Sequence, residues 1–151
     1  RRAYDAAWSA YRRILEVVRE GASVREIAET ADAAARSVGL GIVPEFVGHG
    51  IGRELHEPPV IPFTTDPSGH AEGDVRLRRG MAVNIEPVFS TGGTEIERTA
   101  DGWGYRLVDG SRGIHFELTV LIDDDGAKIL QMGRAPVAEL GEHPPFGDLA
   151  D

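Results

Sequence analysis

Tyr4, Trp8, Tyr11, Leu15 and Val18 recur at alternating spacings of four and three residues, which predicts an amphipathic helix over residues 3–20 with one buried face. Gly21 closes that segment. Ser23-Val24-Arg25-Glu26 has the S-x-x-E form of a capping box. The helix it opens carries Val24, Ile27, Ala28, Ala31, Ala35 and Val38 inward, with Gly39 at the C′ position. Beyond residue 40 the pattern turns to strand and loop. Gly48-His49-Gly50-Ile51-Gly52 cannot hold a helix, because each glycine costs about 1 kcal/mol there. It reads as an irregular loop or distorted strand whose backbone comes close to something. Pro58, Pro59, Pro62 and Pro67 predict a long loop over residues 57–75, followed by a strand over 81–86. Segments 103–108, 113–122 and 127–130, parted by Asp109-Gly110 and Asp125-Gly126, predict a meander of antiparallel strands. From Arg134 the chain is rich in Pro, Gly and Ala without periodicity, which predicts a poorly ordered tail.

Composition then narrows the classes of function. The chain has 151 residues, 41% hydrophobic and 27% charged, which suits a globular domain able to bury a core. Its net charge of −9 argues against a nucleic-acid backbone as partner, which would require clustered Lys and Arg. No run approaches the ~20 apolar residues of a membrane span, and no signal-peptide pattern opens the chain. The absence of Cys excludes disulfides, thiol nucleophiles and Cys-based zinc sites. A cytoplasmic enzyme or binding domain is the expectation that remains. The chain begins Arg1-Arg2-Ala3 and its only methionines are Met81 and Met132, so it reads as a segment of a longer protein.

Candidate chemistry gathers on His49, His56, Glu86 and Glu117. In residues 114–122 the even positions Ile114, Phe116, Leu118, Val120 and Ile122 are all large and apolar. His115, Glu117 and Thr119 therefore share the opposite face of the strand. A carboxylate in that setting needs a partner or a metal. Glu86, ending an apolar strand before Pro87, raises the same question. Taken singly, each has a plainer reading: either Glu at a strand edge facing water, His49 packed in a turn, His56 on the surface beside Glu57. The two histidines are seven residues apart across glycines, unlike the i,i+4 pair of H-E-x-x-H zincins. An oxygen-rich site with imidazole suits Mn, Co, Fe or Zn.

Linked runs carry a resemblance. Val47-Gly48-His49-Gly50-Ile51-Gly52-Arg53-Glu54-Leu55-His56-Glu57-Pro58 resembles the histidine motif of the methionine aminopeptidase and aminopeptidase P superfamily. Leu77-Arg78-Arg79-Gly80-Met81-Ala82-Val83-Asn84-Ile85-Glu86-Pro87 is similar to its L-K-x-G-M-x-x-x-I-E-P motif. Asp101-Gly102-Trp103, followed by His115-Phe116-Glu117 and Thr119, resembles the type I ending D-G-W and H-F-E-H-T. The resemblance spans residues 5–130 in order. It implies an α/β pita-bread fold, of which residues 1–133 would form the C-terminal half: two helices packed on a curved antiparallel sheet, with residues 134–151 as the tail. It also implies two divalent metal ions. His49, Glu86 and Glu117 match ligand positions, with Glu117 bridging both ions and Glu86 also serving as general base toward the attacking water. His56 matches the histidine that contacts the scissile peptide and steadies its developing oxyanion. Leu55 and Trp103 match positions lining a methionine side-chain pocket, although Trp103 can equally be read as core packing beside an Asp-Gly turn.

The implied substrate is a peptide or nascent-protein N-terminus, from which methionine is removed. In the superfamily two further Asp ligands and another catalytic His come from the first half, expected before residue 1 in cis or on a partner chain, so the piece alone is expected to be weak or inactive. Some residues depart from the type I pattern. Leu118 stands where it has His, and His56-Glu57-Pro58-Pro59 resembles the Xaa-Pro branch. His70, in the long stretch 63–73, reads as solvent-exposed. An Xaa-Pro peptidase of the same fold and a non-catalytic pita-bread binding module are the competing readings.

Overall fold

The computed structural model describes residues 1–65, 75–133 and 135–143; His70 lies outside them. Helix α1 spans Arg2–Val17 and α2 spans Val24–Ser37. Eleven strands follow among the described residues: β1 (Gly41–Ile42), β2 (Gly48–Ile51), β3 (Glu57–Ile61), β4 (Ala82–Ile85), β5 (Val88–Ser90), β6 (Ile96–Arg98), β7 (Tyr105–Leu107), β8 (Gly113–His115), β9 (Leu118–Asp123), β10 (Gly126–Ile129) and β11 (Ala135–Pro136).

Both helices form where the apolar spacing places them. The Ser23 hydroxyl accepts the Glu26 amide at 3.0 Å, so the cap is real. Only half of the box closes, because the Glu26 carboxylate pairs with Arg19 at 2.7 Å. At the other end Gly39 turns left-handed, with φ +75°, and the Leu40 and Gly39 amides reach the Ala35 and Arg36 carbonyls in a Schellman pattern. The first helix ends three residues early. Val18 is extended there, yet its side chain is buried.

The sheets are antiparallel throughout. One has six strands in the order β11-β10-β9-β4-β2-β3; another has three, β1-β5-β8; β6 and β7 form a separate pair. The expected single strand over 113–122 is broken at Phe116-Glu117, and its pieces lie in different sheets. The partner run behaves alike, since β4 and β5 are parted only by Glu86-Pro87. Pairing nevertheless continues across the joint without a slip: Ile85 faces Leu118, and Val88 faces His115. Glu86 therefore stands opposite Glu117, and Pro87 opposite Phe116.

Phe116 explains the break. It is buried against α1, with ring centroids 5.0 Å from Tyr4, 5.4 Å from Trp8 and 5.4 Å from Tyr11. Phe89 of β5 closes the cluster at 6.5 Å. The Tyr11 hydroxyl also donates to the Ile85 carbonyl at 2.6 Å, fastening the helix to the residue before Glu86. The core thus sits between the helix pair and the joint.

Other expectations are corrected. Residues 57–61 form β3 rather than loop; it is the edge of its sheet, where prolines remove no needed ladder bond. The meander holds for the β9–β10 hairpin, but β7 pairs with β6, which the pattern did not reveal. Of the expected tail, residues 135–143 are described and carry structure, while 134 and 144–151 lie outside the described residues. Ala135-Pro136 pairs with β10, Leu140 is buried, and the Trp8 indole donates to the Gly141 carbonyl at 3.2 Å. Isolated apolar residues can dock on an existing core without any periodicity of their own.

Phe116→Ala should cost about 3–5 kcal/mol of unfolding free energy, as for other buried aromatic truncations, read from the denaturant midpoint. A midpoint equal to that of the unaltered chain would show that the joint does not depend on this ring.

Candidate metal centre

Cross-strand pairing assembles the site. On one face lie Asn84, Glu86 and Val88, and opposite them Thr119, Glu117 and His115. His49 of β2 extends the row, paired with Asn84 on its other side. The glycines flanking His49 let β2 approach this closely. A Cβ on Gly48 would overlap the Asn84 carbonyl, and one on Gly50 the Pro58 carbonyl. The glycine-rich segment is thus the distorted strand of the sequence reading, with a register shift between His49 and Gly50.

Glu86 is the centre of the arrangement. Its Oε1 lies 3.1 Å from His49 Nε2, and its Oε2 lies 3.8 Å from His115 Nε2. Each carboxylate oxygen faces a different imidazole. Oε1 is buried and has no hydrogen-bond donor among the described residues, despite the short approach of His49. The His49 Nδ1 is 2.8 Å from the Gly50 carbonyl, an acceptor only, so Nδ1 carries a proton and Nε2 is the nitrogen turned toward Glu86. Nε2 and Oε1 then approach each other across 3.1 Å. That is an unfavourable contact unless a cation lies there or the ring takes a second proton. The backbone-anchored Nδ1–H is also the usual way a metal-binding histidine is oriented.

Glu117 is held from the side. Asn84 donates Nδ2 to Glu117 Oε1 at 2.9 Å, while its own carbonyl accepts the Thr119 hydroxyl at 2.8 Å. Gln131 braces Thr119 in turn, accepting its amide at 3.0 Å and donating to its hydroxyl at 3.1 Å. Ligand atoms of Glu86, His115 and Glu117 fall within 4.8 Å of one another, a grouping able to hold a metal ion. The donor set and the unsatisfied Glu86 oxygen fit a divalent cation. Nearby charges act on the neighbouring groups. Glu86 raises the His115 pKa above the ordinary imidazole range, burial opposes it, and Glu117 adds to it. Burial lifts the Tyr11 phenol well above its usual range, and both carboxylates add to the lift, so it stays a neutral donor.

The structure brings His49, Glu86 and His56 together, with the His49 and His56 rings 4.3 Å apart between centroids. Glu117 joins Glu86, but it groups with His115 rather than with His49. Leu55 and Trp103 are 63% and 92% exposed, so Trp103 is not packed into the core of the described residues. The residues missing from the sequence reading are Asn84, Gln131 and His115 as a member of the group. Strand alternation from Glu86 back to Asn84 would have found the first. Gln131 lies in a 3-10 turn and left no signal.

Two helices packed on antiparallel sheets, with imidazoles and carboxylates gathered at the joint between sheets, suit a metal-dependent hydrolase. Residues 1–124 match the model of metallopeptidase family M24, and the chain belongs to that family, which implies use of a divalent metal. It is 35% identical over 119 residues to methionine aminopeptidase A of Synechocystis, covering 79% of this chain and 46% of that protein. The crystal structure of methionine aminopeptidase from Thermotoga maritima superposes with a TM-score of 0.75 at 37% identity, over 83% of this chain and 49% of that one. Prolidase from Pyrococcus furiosus shares the fold with a TM-score of 0.60 at 26% identity, over 84% and 31%. The pita-bread fold is common to these neighbours. The chain spans about half the length of the curated relatives it matches.

Asn84→Asp would set an acceptor and a like charge against Glu117 at a buried position. The expected loss is about 1–3 kcal/mol in urea unfolding of the metal-free chain. An unchanged midpoint would mean that Asn84 does not hold Glu117 in solution.

Proposed function

We propose that this chain is the metal-holding, substrate-facing half of an aminopeptidase that removes N-terminal methionine from nascent proteins in the cytoplasm. The observation that carries the reading is the Glu86 carboxylate, whose buried Oε1 lies 3.1 Å from His49 Nε2 and whose neighbour across the strands is Glu117. His49, Glu86 and Glu117 would hold two divalent ions, Co, Mn, Fe or Zn. When bound, these supply Lewis acidity, polarising a peptide carbonyl and making water a stronger acid. Glu86 then exchanges protons with the attacking water as general base. His56, tilted against His49 and open to solvent, would donate to the scissile carbonyl as negative charge develops there. Leu55 and Trp103 are the apolar side chains offered to a methionine thioether, and their exposure leaves them available to it.

The chain spans about half the length of its curated relatives, and on this reading two Asp ligands and a further His come from residues outside it, in cis or on a partner chain. The His56-Glu57-Pro58-Pro59 run and the prolidase likeness favour a second reading, cleavage of Xaa-Pro bonds. No helix among the described residues is long and apolar enough to cross a membrane.

A saturating divalent metal should stabilise the chain by about 2.7 kcal/mol at a hundredfold excess over Kd, an effect that a chelator reverses and His49→Ala diminishes. Thermal unfolding with Mn²⁺ or Co²⁺ measures it. The chain joined to its complementary half should release methionine from Met-Ala peptides, and the 151-residue piece should do so feebly or not at all. Release from X-Pro peptides instead would favour the second reading. Metal-independent stability with no turnover of either would point to a binding module.

A further inference from the structure

We propose that His115 is itself a metal ligand, holding a divalent cation with Glu86 and Glu117 on the Oε2 side of Glu86. The inference rests on the metal-centre reading above and extends it to a residue outside the His49, Glu86, Glu117 set. Glu86 turns one oxygen to each imidazole: Oε1 to His49 at 3.1 Å and Oε2 to His115 at 3.8 Å. Ligands that each sit about 2.1 Å from one ion lie roughly 3.4 Å apart in a tetrahedral site, so the His115 spacing needs only a small closure. All three ligand atoms already lie within 4.8 Å of one another.

His115 reaches this place for reasons built into the fold. Its strand β8 is registered on β5 with His115 opposite Val88, two residues beyond Glu86 on the same face. A diagonal neighbour at that spacing is within reach of a long side chain. Phe116, buried beneath α1, forces the residues on either side of it to the opposite face. His115 and Glu117 thus leave the joint together, flanking Glu86. Glu86 and Glu117, facing each other across the register, are two like charges that only a cation, a proton or water can reconcile. His115 brings a nitrogen donor to that position.

Cobalt(II) titration of the full chain tests the assignment, followed by calorimetry and by the exchangeable, hyperfine-shifted imidazole N–H signals that coordinated histidines give. His115 and His49 should each contribute one such signal. His115→Gln and His115→Ala should each remove one signal and weaken Co²⁺ binding at least about tenfold, whereas His49→Gln should remove the other. The His115 side chain is 46% exposed, so its replacement leaves the core intact. Unchanged affinity and both signals retained in the His115 variants would overturn the assignment. If Glu86→Gln and Glu117→Gln still weaken binding in that case, the metal centre stands and only His115 is excluded. If none of the four positions affects Co²⁺ binding, the metal-centre reading falls with it.

Discussion

Glu86 and Glu117 face each other across an unbroken antiparallel register, and carboxylates placed so repel unless something positive lies between them. Much of the surrounding structure manages that repulsion. Asn84 takes up one Glu117 oxygen, and Thr119 with Gln131 keeps Asn84 aligned. Histidines stand on either side of Glu86. Oε1 of Glu86 is buried without a hydrogen-bond donor among the described residues, 3.1 Å from His49 Nε2. A carboxylate oxygen so placed beside an imidazole nitrogen suits a proton or a cation between them.

The scaffold fixes the backbones from which the two carboxylates project. Phe116 on one run, packed among three aromatic rings of α1, and the Tyr11 hydrogen bond to Ile85 on the other, hold both backbones to the same helix. Dispersion and apolar burial at the back of the joint thus set where the carboxylates stand at its front. The same helix reaches the chain's far end through Trp8 and Gly141. One face of α1 therefore ties the joint to the segment at Gly141.

Much of this was legible in the sequence, because it rests on periodicity. Spacings of three and four marked both helices, and the even–odd alternation over 114–122 put His115, Glu117 and Thr119 on one face although the strand breaks in its middle. The face survived because the register continues through the break. Other features had no local signature. Proline usually forbids a strand, and β3 exists only because it lies at a sheet edge, a fact of topology. Gln131 and the pairing of β6 with β7 likewise depend on what the chain meets in space. His115 lay on the correct face, but its nearness to Glu86 came from the partner run folding back.

The contrast between the two tryptophans has a practical consequence. Trp8 is sealed in the core beside α1's aromatic cluster, and Trp103 stands in solvent at the tip of the β6–β7 pair. Their emission therefore separates by colour and by access to a soluble quencher such as acrylamide. The blue, shielded component reports whether the scaffold is intact, and the red, quenchable one reports what settles on the face that Trp103 offers. A single unlabelled sample thus carries two optical channels, one for folding and one for occupancy.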